Sequence, residues 1–304
     1  MPLHSIKYAL LVVFTCLSLL TGTPTMADYP TFTCAYEKDH NPPLDAEAER
    51  WFQHARYLER AMGPWPEVER LYQQAIAKNH WKAMHNLANL YRTGFPGEPG
   101  IEKNTQKMLD LYERMVELKV PLGYYNWAVT AERGNGVLKS DRMASSYMFQ
   151  AALMGSPLAQ VSIGSFFAFG LPIEQQDNEM AEKYYRCAGA QDDTYALRKV
   201  GSFYKNSKKN YPRALYYYQR AAALGDKDAI DTLVTAFDPG SAKTNGFGFY
   251  YAPDVKLFNL YNDLYEKARN DPSWRYPNLI DEHALPKHPT QGYDAEHPGK
   301  PFRL

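Results

Sequence analysis

The chain carries no block of five like charges, no apolar run of the roughly twenty residues needed to cross a bilayer, and only three cysteines among 304 residues. Lysine plus arginine equal aspartate plus glutamate, at 34 each. That balance leaves no electrostatic footprint for a nucleic-acid backbone or an anionic membrane surface, so a specific protein or small-molecule partner is the default expectation. The signatures of common chemistry are also missing. There is no Gly-x-Ser-x-Gly elbow, no phosphate-binding loop and no His-Glu-x-x-His pair. Gly134-Asn135-Gly136 looks like the opening of a dinucleotide loop, but it joins two helical patterns rather than a strand to a helix and so reads as a turn. Toward the C-terminus Asp281, Glu282, His283, His288, Glu296 and His297 carry metal-ligating atoms. Their irregular spacing and the prolines between them do not supply the rigid scaffold a metal needs. The expectation is a binding protein, not an enzyme, with no cofactor and no metal.

What is present begins with an address. Lys7 closes a short positive start, Tyr8 to Leu20 is apolar, and Thr25-Met26-Ala27 places small residues before a cut at Asp28. Residues 1–27 therefore read as a secretory signal peptide and the mature chain as periplasmic, with no stable membrane insertion after cleavage; a retained anchor is the alternative. Cys16 lies within the apolar run, without the small residue expected before a lipoprotein cysteine. Two cysteines then remain in a compartment where disulfides persist, Cys34 and Cys187. They pair if their Cα atoms come within about 7 Å; otherwise Cys187 is a small buried residue and Cys34 a free thiol.

The chain aligns on itself. Ala83, Gly123, Ala159, Ala196 and Ala229 form one column, with steps of 40, 36, 37 and 33 residues. Four, five and eight residues further on come Leu87, Trp127, Ile163, Val200 and Leu233, then Ala88, Ala128, Gly164, Gly201 and Val234, then Tyr91, Ala131, Phe167, Tyr204 and Phe237. This spacing marks one helical stripe, here termed helix A, with small residues where a neighbour must come close. A second column with the same steps, Ala75, Met115, Ala151, Ala188 and Ala221, marks helix B. Gly94, Gly134 and Gly170 should stop helix A in left-handed caps, and Gly155 and Gly225 should stop helix B. A lone pair of such short helices cannot bury its stripe, so consecutive pairs must stack into a curved rod.

Gly134-Asn135-Gly136-Val137-Leu138-Lys139-Ser140-Asp141 and Tyr217-Tyr218-Gln219-Arg220-Ala221-Ala222-Ala223-Leu224-Gly225 resemble the loop and helix B of the Sel1-like repeat, a relative of the tetratricopeptide repeat. The resemblance covers about residues 66–237 and implies an all-α, right-handed α-solenoid of helix-turn-helix repeats with an irregular C-terminal extension. The loop near Gln175-Gln176-Asp177 lacks the second glycine, and the one at Lys205 to Lys208 lacks both. Residues 28–65 then form an N-terminal extension with a capping helix from Ala46 to Met62. Residues 238–304 hold an aromatic loop, Gly246 to Tyr251, one more helix at Val255 to Arg269, and a tail. The tail is expected either to pack along the last repeat through Trp274, Tyr276 and Leu279 or to be disordered after about Pro286.

By analogy with the wider superfamily, the A helices line the binding face. That frame places His85, Asn89 and Arg92, then Tyr125, Glu132 and Arg133, then Arg198 and Lys205 in a polar groove with aromatic and arginine anchors; the alternative is that several merely face water. The family resemblance further implies an immunity protein that neutralises a lipase- or phospholipase-type effector of a type VI secretion system. A general envelope scaffold or signalling adaptor is the second reading.

Overall fold

The computed structural model describes residues 31–240, 248–271 and 273–296. Residues 1–30 with Cys16, Gly246 and Phe247 of the aromatic loop, and residues 297–304 with His297 lie outside the described residues. Helices account for most of what is described, and no β-strand forms among the described residues.

Helix α1, Ala46–Arg60, is followed by five pairs. The B helices are α2 (Trp65–Ala77), α4 (Thr105–Glu117), α6 (Asp141–Leu153), α8 (Asn178–Gly189) and α10 (Tyr211–Ala223). The A helices are α3 (Trp81–Thr93), α5 (Pro121–Arg133), α7 (Pro157–Ser165), α9 (Thr194–Asn206) and α11 (Lys227–Phe237). The columns read from sequence face the core: Ala83, Ala159, Ala196 and Ala229 are fully buried, as are Ala75, Met115, Ala151, Ala188 and Ala221. Trp127 and Val234 are only half-buried; Trp127 stacks on Tyr147 of α6 instead.

Both connections recur. At every turn from B to A one residue takes a left-handed conformation: Asn79, Lys119, Gly155, Asp192 and Gly225, with φ between 55° and 86°. The steps are again 40, 36, 37 and 33. In four of the five turns the N–H of the very next residue closes back on the helix: His80 donates to the Ala75 carbonyl, Val120 to Met115, Ser156 to Ala151 and Asp226 to Ala221, at 2.9–3.2 Å. These bonds satisfy carbonyls that the helix end leaves open.

The connections from A to B differ in length but end alike. Asn104, Ser140, Asp177, Asn210 and Asp254 each donate a backbone N–H to the carbonyl of Tyr91, Ala131, Phe167, Tyr204 and Phe237 respectively, at 2.8–3.0 Å. Each of those five donors also caps the following helix with its side chain. Variation in repeat length is thus absorbed between two fixed points.

Two features depart from the expected pattern. Gly170 takes no left-handed cap; α7 runs into a π-turn, Phe166–Gly170, which leaves Phe169 exposed. Helical stacking also continues beyond Phe237. Helix α12, Val255–Asn270, packs on α11 in the place of a further B helix, reached through the Asp254 bond.

The chain's ends fasten onto the stack. Cys34 and Cys187 form a disulfide with a Cα separation of 5.6 Å, which decides between the two cysteine readings. The segment between Cys34 and α1 lies along the B-to-A turns: Gln160 Nε2 donates to the Ala35 carbonyl at 2.9 Å and Glu37 N–H to Gln191 Oε1 at 2.7 Å. At the other end the tail packs rather than hanging free. Tyr276 N–H bonds the Ala223 carbonyl at 2.8 Å, Leu279 of the short helix α13 (Leu279–Glu282) is fully buried, and Arg213 of α10 grips Asp294 with two nitrogens at 2.8 and 3.0 Å.

Candidate protein-binding face

In a curved stack the elements on the inner side lie closest together. Helices α5, α7 and α9 touch one another directly, and no comparable contact joins consecutive B helices. This places α5, α7 and α9 on the inner side, and the candidate residues lie two, six, nine and ten residues after the small column of the A helices.

The structure sorts the predicted groove residues into three sets. His85, Asn89 and Arg92 cluster on α3: His85 Nε2 pairs with Asn89 Nδ2 at 3.0 Å, and Arg92 Nε donates to Asn89 Oδ1 at 3.4 Å. Asn126 of α5 joins them, its Nδ2 at 3.1 Å from His85 Nδ1. Asn126 was not singled out from sequence, although it occupies the position next to Tyr125 in the repeat frame. Each ring nitrogen of His85 thus faces an amide side chain. Burial, with help from the Arg92 and Arg56 charges, pushes the imidazole down to about 4, so it is neutral at physiological pH.

Tyr125, Glu132 and Arg133 share α5. Tyr125 is half-buried, its hydroxyl pushed up chiefly by burial and then by the nearby Tyr195, while Glu132 and Arg133 are exposed in the last turn. This set is the part of the groove with a large aromatic surface beside uncommitted polar groups, the composition of interface anchors.

Arg198 and Lys205 of α9 are committed within the chain. Arg198 lies 3.0 Å from Asp226 and 3.2 Å from Asp228, and its guanidinium sits over Tyr195 at 5.8 Å. Lys205 lies 4.1 Å from the centre of the Phe249 ring, and burial holds its ammonium below the ordinary lysine range. Arg198 thus couples α9 to α11, and Lys205 pins the aromatic loop. Sequence showed their column but not their partners, since Asp226 and Phe249 are distant along the chain.

Among the described residues of the tail, His288 and Glu296 serve the fold. His288 is buried, donates from Nε2 to the Phe249 carbonyl at 3.0 Å and accepts the Gln291 N–H on Nδ1 at 3.1 Å. Glu296 pairs with Arg186 and Arg213, each at 3.0 Å. Among the described residues no three His, Cys, Asp or Glu side chains gather as a metal site, and no helix is long and apolar enough to cross a membrane.

The Sel1 repeat family matches residues 81–119, 121–156, 157–193 and 194–226. Among solved structures, the immunity protein Pa5087 from Pseudomonas aeruginosa is 38% identical, with 88% of this chain and 99% of that one covered and a TM-score of 0.74. Pseudomonas aeruginosa 5086 (PA5086) is 40% identical over 89% of this chain and all of its own, with a TM-score of 0.75. The immunity protein PA5088 from the same organism is 38% identical over 88% and 98%, with a TM-score of 0.73. No curated protein matches the chain.

Proposed function

The chain belongs to the Sel1-repeat family, and from that premise we propose that it is an immunity protein that binds a toxic effector through its A-helix face and blocks it. The observation that carries the reading is likeness over almost the full length of two structures named as immunity proteins, far beyond the shared repeat. The inner face supports it through the aromatic and polar groups around Tyr125, which suit a protein surface better than a small substrate.

In this reading the effector is a lipase- or phospholipase-type toxin delivered by a type VI secretion system, and the two proteins meet in the periplasm. Residues 1–27 supply the address, and the Cys34–Cys187 disulfide suits an oxidising compartment. Cells carrying a candidate toxin targeted to the periplasm should survive when the full chain is co-expressed and die when it lacks residues 1–27. Death in both cases, with no toxin recovered on the protein from periplasmic extract, overturns the reading.

A further inference from the structure

The rod is not packed evenly along its length. Among the described residues between Val120 and Ala159, the buried apolar side chains beyond Pro121 are all alanines: Ala128, Ala131, Ala144, Ala151 and Ala152. Helix α5 also buries polar groups, Asn126 and Thr130. The large side chains Tyr124, Trp127 and Tyr147 stay half-buried, with Tyr124 and Trp127 meeting Tyr147 at ring-centre distances of 5.9 and 6.2 Å.

The helices on either side are filled differently. Upstream, Met84, Leu87, Tyr91, Met108, Tyr112 and Met115 belong to one contiguous core that runs from Ala48 to Val120. Downstream, Phe167, Tyr185, Val200, Phe203 and Tyr204 are buried in their turn. An alanine takes one methyl out of water where a methionine or phenylalanine takes a whole side chain, so α5 and α6 make a weak joint between two well-filled halves.

A second connection bypasses this joint. The strap from Cys34 to Asp45 is held on the downstream half by the disulfide to Cys187 of α8, by Gln160 of α7 on the Ala35 carbonyl, and by Gln191 on the Glu37 N–H. On the upstream half Asp45 caps α1 and, with Glu47, pairs with Lys78 at the end of α2 at 3.2 and 2.6 Å, while Leu44 packs on the upstream core. Between these anchorages the strap bridges a cleft of about 920 Å³. It thus holds α8 to α1 without passing through α5 or α6.

We propose that α5 and α6 form a joint that opens locally, and that the Cys34–Cys187 bond latches it. With the bond closed, an opened joint is part of a ring, which restricts how far the halves can part and makes opening costly. With the bond broken, α5 and α6 open on their own while both halves keep their cores. Unlatching is a reduction by a dithiol: the reductant gives up two electrons and two protons and becomes a disulfide, and Cys34 and Cys187 take them up as two thiols. Cys34 is exposed and open to thiolate attack on its sulfur, with the buried Cys187 as the leaving thiol. Neither the joint nor the latch rests on the immunity reading.

Amide hydrogen exchange, read peptide by peptide by mass spectrometry, tests this on the full chain with its disulfide closed, on Cys34→Ser, and on the wild type reduced with dithiothreitol. Once the bond is broken by either route, amides of α5 and α6 should exchange at least about tenfold faster, while those of α3 and α9 keep their rates. Cys34→Ser leaves the buried Cys187 in place, and the reduced wild type repeats the reading with no substitution. Unchanged exchange in α5 and α6 overturns the proposal. So does an equal acceleration in α3 and α9, which would mean that the bond stabilises the whole rod evenly. Complete unfolding overturns it too, since halves with cores of their own should outlast the joint.

Discussion

His85 shows how one side chain can be legible as a position and illegible as a chemical state. Its repeat column placed it on the inner face; its clamp between Asn89 and Asn126 needed coordinates. With the imidazole pushed from 6.5 to about 4, the unfolded chain takes up the proton first as pH falls. The contribution of this residue is therefore complete above about pH 6.5 and lost progressively toward pH 4. Glu37 runs the other way, since its raised carboxyl favours the fold below its ordinary 4.5 and loses that advantage as pH rises toward 7. Comparing melting temperatures of the wild type and His85→Gln across this range isolates the first effect. The variant should lose less stability on acidification, and parallel curves would show that His85 is not buried neutral.

Residues in left-handed turns make a second contrast at this scale. Lys119 and Gly155 hold equivalent positions, but only Gly155 lies under the N-terminal segment, where a Cβ would collide with the backbone of Tyr36 and Glu37. Lys119→Gly should be neutral or stabilising by up to about 1 kcal/mol, as strain at an L-residue is relieved and chain entropy partly offsets it. Gly155→Ala should cost about 2 kcal/mol or more and loosen the segment. Denaturant midpoints separate the two cases; equal shifts would mean that the segment does not seat on Gly155.

Among the elements, the helix pairs were legible because small residues recur with identical steps in two columns, and that pattern is local. The stop at Gly170 was misjudged for a physical reason. A glycine permits a left-handed cap without requiring one, and here the Phe166–Gly170 π-turn takes its place. Helix α12 was visible as a helix but not as a repeat member, because its tie is a backbone bond from Asp254 to Phe237 across a long connection. The tail's order was undecidable from composition, since it rests on contacts with distant parts of the chain, among them a buried ion pair in which Arg213 is 10% exposed and Asp294 3%. Replacing Asp294 by Asn leaves a buried guanidinium with Glu296 as its remaining carboxylate partner, at a cost of about 3 kcal/mol. Urea unfolding should report that loss, and limited proteolysis should cut the tail first. A variant as stable and as resistant as the wild type would show the pair to be incidental.

For the whole molecule, the candidate face narrows to one region. Arg198 and Lys205 already serve α11 and the aromatic loop, and the α3 cluster is bonded to itself, which leaves Tyr125 with Arg133 as the best anchors. Truncating both to Ala should leave the melting temperature nearly unchanged and weaken toxin binding several hundredfold, at about 2 kcal/mol for each anchor. Binding that survives in a folded double variant would move the interface off the A helices, toward Phe249 to Tyr251 and Trp274.

Rods of stacked helix pairs behave as springs, since each pair grips only its neighbours and the whole can open or tighten through small rotations. This one carries a stop. Eleven chain steps separate Cys34 from Asp45, and so short a link can reach at most roughly 40 Å. Because one end is riveted to α8 and the other runs into α1, the edge of the rod between them has a fixed maximum length. The spring can compress but cannot stretch past its tether unless the Cys34–Cys187 bond is reduced.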